Sequence, residues 1–172
     1  EQAAKGEGFL PDLCEQWEAA TTIASEIGIR VVLVRIGIVL SRHGGALTKM
    51  LTPFRFGLGG RIGDGQQYWS WISLQDIVRV IQHAIETPTL SGVVNGVAGA
   101  ATNAEFTKSL GRCLKRPTVF PLPAFIARLM LGRELADELL LASTRVSPSK
   151  LTATGFAFEH ELLDDALRSS LS

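Results

Sequence analysis

The run Ile29–Leu40, IRVVLVRIGIVL, is rich in β-branched residues and apolar at nearly every position. Alternation would mark a strand with one wet face. Continuous apolar character is what a parallel strand needs when helices cover both of its faces. A helix candidate leads into it. Leu10, Leu13, Cys14, Trp17, Ala20, Thr21 and Ala24 recur at three- and four-residue steps through Phe9–Ile27. Pro11 is tolerated in the first turn, and Gly28 is placed to end the helix in a left-handed cap. A helix feeding a buried strand reads as an α/β domain entered partway through. Arg35 interrupts the run near its carboxyl end, the edge beyond which open α/β sheets hold their ligands. Either Arg35 and the Gly37–Leu40 backbone border a cofactor, or Arg35 is neutralised by a nearby carboxylate.

After a turn at Ser41–Gly45, Ala46–Phe56 reads as a helix carrying Leu47, Met50, Leu51 and Phe54 on one side, bent or restarted at Pro53. Gly57–Val78 follows, a shaped loop with glycines at 57, 59, 60, 63 and 65 and the aromatics Tyr68, Trp69 and Trp71. Large aromatics with polar tips suit a pocket wall, and they equally suit the cap of a core. Ser73 is placed to cap a helix over Leu74–Glu86, with Ile77, Val80, Ile81, Ala84 and Ile85 as its buried face and Pro88 beyond its end. Gly92–Ala98 reads as a strand. Thr102–Glu105 is a capping box opening a helix over Ala104–Leu114. Thr118–Phe120 reads as a strand, Pro121–Pro123 as a hinge, and Ala124–Leu131 and Glu134–Ala142 as helices. A short helix starts at Ser147-Pro148, Phe156 and Phe158 alternate as an edge strand, and Leu162–Leu171 forms a closing amphipathic helix. Strand-rich first and helix-rich last, the order implies the closing strands of a parallel sheet joined to a small, mostly helical lobe.

Net charge is zero and Lys and Arg are scattered, so no electrostatic footprint for nucleic acid exists. The apolar runs are too short to span a bilayer, and the opening EQAAKGEG lacks a signal peptide's apolar core. Cys14 and Cys113 have no CxxC spacing and read as reduced core residues of a cytoplasmic protein. His43, His83 and His160 are dispersed, so no metal site is expected. The leucines of Ala124–Ala142 admit a helical oligomerisation face as well as a core face. The expected state is monomer or homodimer.

EQWEAA, RVVLVRIGIVLS, GGALTKMLTPFRFGLGG, GDGQQYWSWISLQDIV, GVVNGVA, TNAEFTKSLGR and KLTATGF follow one another from about Phe9 to the end of the chain. In that order they resemble an extended short-chain dehydrogenase/reductase, and more closely its atypical "epimerase family" branch, which ends in a domain of its own of unknown function. The resemblance implies an α/β fold: the C-terminal part of a Rossmann-type, doubly wound parallel sheet plus a small helical substrate lobe. Residues 1–100 would close the NAD(P)-binding domain, with 57–78 as substrate loop, and residues 101–172 would form the family's C-terminal domain. Full-length members open with a GxxGxxG turn that holds the cofactor pyrophosphate. No such turn occurs here, which makes the chain look like the C-terminal half of a longer protein.

The family's catalytic Tyr and Lys would fall at Leu10 and Cys14, taking Glu18 as the acidic residue one turn further on. Neither can perform that proton transfer, so the catalytic residues stay unknown. In the related sugar-nucleotide enzymes the loop carries an Arg that clamps the diphosphate. Here Trp69 takes the Arg position and Ser70 the position of an Asp. A flat indole with one N–H donor implies a less charged ligand than a UDP-sugar.

What the resemblance implies is the substrate side of an NADP (or NAD)-dependent oxidoreductase or epimerase (isomerase) acting on an unknown small molecule. Arg35, Gly37, Ile38 and Val39 would border the cofactor, most of whose site would lie in the preceding half. Gln67, Tyr68, Trp69 and Trp71 would border the substrate. The alternative, carried by the missing Tyr-Lys pair, is a non-catalytic nucleotide-binding or interaction protein, one with a role in cell division. Neither nucleic acid nor membrane is an expected partner.

Overall fold

A computed structural model describes residue 6 and residues 8–172. The elements run α1 (Phe9–Ala19), α2 (Thr22–Glu26), β1 (Val32–Ile36), β2 (Ile38–Leu40), α3 (Gly45–Arg55), β3 (Tyr68–Ser73), α4 (Leu74–Glu86), β4 (Gly92–Gly96), β5 (Gly99–Thr102) and α5 (Asn103–Leu114). The helical remainder is α6 (Ala124–Leu131), α7 (Arg133–Ala136) with a π-helical turn over Asp137–Leu141, α8 (Ser149–Ala153) and α9 (Leu163–Leu171). The α/β class with parallel strands and covering helices is as expected.

The apolar run divides at Gly37 and its two parts enter different ladders. β1 pairs parallel with β4, from Val32 opposite Gly92 to Ile36 opposite Gly96. β2 pairs parallel with β3, whose other edge takes β5 antiparallel. The break has a steric cause. A Cβ on residue 37 would sit 2.7 Å from the Ser70 carbonyl oxygen and 2.9 Å from Val97, so only glycine lets the backbones approach this closely.

Tyr68–Ser73 is therefore a strand and not the end of a loop. Trp69 and Trp71 belong to a core built with Leu40, Leu47, Phe54, Phe106, Leu110 and Leu167. Ile72 belongs to a second core with Ile77, Val80, Val94, Leu151 and Phe156. Both cores draw on residues before and after position 100.

Helices α3, α4, α5, α6 and α9 fall within a residue or two of the spans predicted from the sequence. Ser73 caps α4 by accepting the Asp76 N–H, and Thr102 and Glu105 form the reciprocal capping box of α5. Pro53 lies inside α3. Other expectations are corrected. Phe9–Ile27 is two helices, because the Thr21 hydroxyl turns back onto the Glu18 carbonyl (2.7 Å) and breaks the ladder. Its stripe is not a core face: Trp17 is 68% exposed, and Cys14 is exposed too. Ile81 and Ile85 point outward from α4, while Asp76 is fully buried on its inner side. The strand expected over Gly92–Ala98 stops at Gly96, and Glu134–Ala142 becomes α7 plus the π-helical turn. Thr118–Phe120 joins no ladder, and Phe156 and Phe158 form an edge-to-face ring pair at 4.9 Å in place of a strand. Among the described residues no helix is long and apolar enough to cross a membrane.

Asp76 ties the C-terminal segment to α4. Its carboxylate accepts from the Ser73 hydroxyl (2.9 Å), the Arg79 guanidinium (3.0 Å) and the backbone N–H groups of Glu159 (2.8 Å) and His160 (3.1 Å). Burial alone would raise its pKa; the bonds from Glu159, His160, Ser73 and Arg79 outweigh that and hold it below the ordinary carboxylate value. A carboxyl depressed in the folded state stabilises above its unfolded pKa, about 3.9, and that contribution is lost as pH falls through the folded value. We expect Asp76→Ala to cost about 3 kcal/mol or more, since several buried donors lose their acceptor. Its stability should also fall less than the parent's between about pH 4 and pH 2. Urea unfolding at the two pH values measures both, and an unchanged midpoint would refute the role given to Asp76.

Candidate active-site cavity

A cavity of about 710 Å³ opens beyond the carboxyl ends of the parallel strands β1 and β4. Its walls are Arg35–Ile38, the start of β3 at Tyr68–Ser70, Asn95 and Val97, and the strap that follows the π-helical turn from Ala142 to Ser149. The strap is sewn to the sheet by polar bonds. The Ser70 hydroxyl donates to the Thr144 carbonyl (2.7 Å) and accepts from the Val146 N–H (3.0 Å). The Ser143 hydroxyl accepts the Tyr68 N–H (3.0 Å), the Thr144 N–H returns to the Tyr68 carbonyl (2.9 Å), and the Asn95 amide donates to the Ser147 carbonyl (3.0 Å).

Three charged side chains stand on this wall. Arg35 forms a two-pronged pair with Glu18 on α1, at 2.6 and 2.7 Å. That bond, against a smaller opposing effect of burial, holds the Glu18 carboxyl below its ordinary pKa. Glu138, on the π-helical turn, accepts the N–H groups of Phe9 and Leu10 (3.1 Å each) and so caps the first turn of α1. Arg145, on the strap, lies over the Tyr68 ring with its guanidinium carbon 5.1 Å from the centroid. It is exposed and has no carboxylate partner among the described residues.

Of the residues singled out from the sequence, Arg35, Gly37, Ile38, Tyr68 and Trp69 come together around this cavity. Arg35 is neutralised by Glu18 and also lines the cavity. Val39 lies outside the lining, in the β2 ladder opposite Ile72. Gln67 is buried, its amide donating to the carbonyls of Ile62 and Leu140 (3.1 Å each), and Trp71 is buried beneath Gly99. Neither reaches the cavity. Trp69 borders it, yet its indole N–H donates to the Leu140 carbonyl (3.3 Å) and its ring meets Phe106 edge to face. That ring is committed to the core, so its place in the sequence says little about the charge of a ligand. Asn95 and Arg145 were not anticipated, and Ser70 only as a member of the 57–78 loop. Asn95 left a signal, a polar residue inside the apolar strand GVVNGVA; the strap left none. Among the described residues no cluster of His, Cys, Asp or Glu could hold a metal ion.

Residues 122–170 match the domain of unknown function DUF1731. The chain is 50% identical over 168 residues to the epimerase family protein Mb2239 of Mycobacterium bovis, covering 97% of this chain and 56% of that protein. It is 42% identical to the human epimerase family protein SDR39U1, covering 93% of this chain and 54% of the relative. The crystal structure of human SDR39U1 with NADPH superposes with a TM-score of 0.85 at 40% identity, over 92% of this chain and 54% of that one. Over nearly its whole length this chain is similar to epimerase family proteins. A nucleoside-diphosphate sugar epimerase from Corynebacterium glutamicum is also similar, with a TM-score of 0.79 and 31% identity over 99% of this chain and 32% of that one. The Rossmann-like α/β architecture and the resemblance read from the sequence both hold, and the chain spans about half the length of the curated relatives it matches.

Ser70 is the link by which sheet and strap share a hydroxyl. Ser70→Ala removes one acceptor and one donor from a site 6% exposed, a loss of about 1–3 kcal/mol for the strap. Limited trypsinolysis should then cut after Arg145 about tenfold faster or more. Equal cleavage of parent and variant would show that the strap is held by something else.

Proposed function

We propose that this chain supplies the substrate side of an NADP-dependent oxidoreductase or epimerase acting on a small molecule. The observation that carries the reading is the cavity's position: it opens at the carboxyl edge of parallel strands, where α/β sheets bind nucleotides, in a chain that superposes on a relative crystallised with NADPH. The wall suits the nicotinamide end of such a cofactor. It offers backbone groups at Gly37–Ile38, the Asn95 amide and the Ser147 hydroxyl, which match a carboxamide and ribose hydroxyls in size and polarity. It offers no glycine turn for the pyrophosphate. When bound, NADP supplies hydride exchange with the substrate. This chain's residues shape and orient: the Arg35–Glu18 pair fixes β1 against α1, and the Ser70-bound strap closes the cavity from the substrate side.

A second reading keeps the cofactor and drops the turnover. Leu10 and Cys14 occupy the places of the catalytic pair, and the structure gives Leu10 a helix-capping contact and leaves Cys14 exposed. In this reading the protein senses a nucleotide or presents it to a partner.

Titration of the full-length protein with NADPH, followed by nicotinamide fluorescence, should saturate, and the isolated chain should bind weakly or not at all. Gly37→Val should weaken the full-length protein's binding, because any side chain there displaces the cavity wall. No binding at millimolar NADPH would refute the proposal. Saturable binding without oxidation or reduction across a panel of aldehydes, ketones and nucleotide sugars would select the second reading.

A further inference from the structure

On the face of α5 away from this cavity, two concavities of about 420 and 270 Å³ adjoin through Lys108 and Thr118, which line both. Together they form a groove between α5 and the segment Arg116–Pro121. Small residues make room for it: a Cβ at Gly111 would collide with Thr118, and Ala104 lies further along the floor. The groove's charge is one-sided. Arg61, Lys108, Lys115 and Arg116 line it; Lys108 feels the Glu105 carboxylate one turn back, and Arg61, Lys115 and Arg116 have no carboxylate partner among the described residues. Arg112 is already paired with Asp164 at 3.0 Å. The nearby Glu105 carboxylate is occupied by the Thr102 N–H and hydroxyl in the capping box (2.8 and 2.9 Å). No Asp or Glu lines either concavity.

The outer wall carries a second, independent observation. Thr118, Val119 and Phe120 are strand-forming residue types, yet they join no ladder and their backbone groups make no hydrogen bond among the described residues. Val119 and Phe120 are exposed. Gly60 backs the segment from inside, since a Cβ there would run into the Phe120 carbonyl, and Arg116 anchors its start by donating to the Arg55 carbonyl (2.9 Å). The segment is thus held on one side and unpaired on the other. Unpaired strand-forming backbone beside pockets for side chains is the arrangement by which proteins take up an extended peptide as an added strand.

We propose that this groove docks an extended acidic segment of a partner protein. The segment pairs with Thr118–Phe120 and sets its carboxylates against Lys108, Lys115 and Arg116. α5 spans about 18 Å, which fits five or six extended residues at about 3.3 Å each. A concave groove with open backbone donors suits a peptide better than a lipid surface, which has no strand to offer.

The test uses the full-length protein and a fluorescein-labelled hexapeptide of alternating Glu and Val, read by anisotropy. Binding should saturate and weaken as salt is raised from about 50 to about 200 mM. The Lys108→Glu, Lys115→Glu double variant should lose about tenfold or more in affinity, with its thermal melt by circular dichroism confirming the fold. N-methylation of alternate peptide nitrogens, which blocks strand pairing and keeps the charge, should cost a similar factor. Absence of binding, or a double variant that binds as the parent does, would overturn the proposal. So would an N-methylated peptide as good as the parent peptide, because charge alone would then explain the affinity. Retention on phosphatidylglycerol vesicles that the peptide cannot displace would assign the face to lipid and overturn it as well.

Discussion

Covering β3 on both edges and both faces is the constraint from which the remaining architecture follows. Its two ladders fix β2 and β5, and its alternating side chains divide the apolar interior in two. Trp69 and Trp71 fill the side closed by α3, α5 and α9, and Ile72 the side closed by α4. The same strand begins with Tyr68 and Ser70 on the cavity wall and ends with Ser73, the cap of α4. One strand therefore sets core, cavity and helix start together. Gly37 is the price of its close packing, because no side chain fits against the Ser70 carbonyl.

Polar groups around the cavity are arranged with uneven freedom. Glu18 holds Arg35, the first turn of α1 holds Glu138, and the Thr144 and Val146 backbone holds Ser70. Such satisfied groups rigidify a wall. Arg145 sits over the Tyr68 ring and is exposed to solvent. The site thus combines a fixed floor with a cation on its cover.

Local signals were legible where their partners lie within one turn of chain. The Ser73 and Thr102 caps and the three- and four-residue apolar steps placed α4 and α5 because both the donor and the acceptor of each bond are nearby in sequence. Strand limits were less legible, since Gly37 acts as a break only once Ser70 is opposite it. The aromatics of 68–71 read as a loop because five glycines precede them, yet burial from two directions makes them a strand. The full burial of Asp76 was not legible, because two of its donors, the Glu159 and His160 N–H groups, lie 83 and 84 residues further along the chain. Arg145 was invisible for a different reason: its strap has no period, and only the Ser70 hydroxyl gives it a position.

The contact between Glu138 and the first turn of α1 spans 129 residues of chain. During synthesis at about 5–20 residues per second, α1 leaves the ribosome roughly ten seconds before its capping carboxylate exists. Until then its leading N–H groups have water as their partner. The first helix of this chain is therefore among the last to acquire its final surroundings, and a nascent chain stalled before residue 138 would present it uncapped to whatever waits at the exit tunnel.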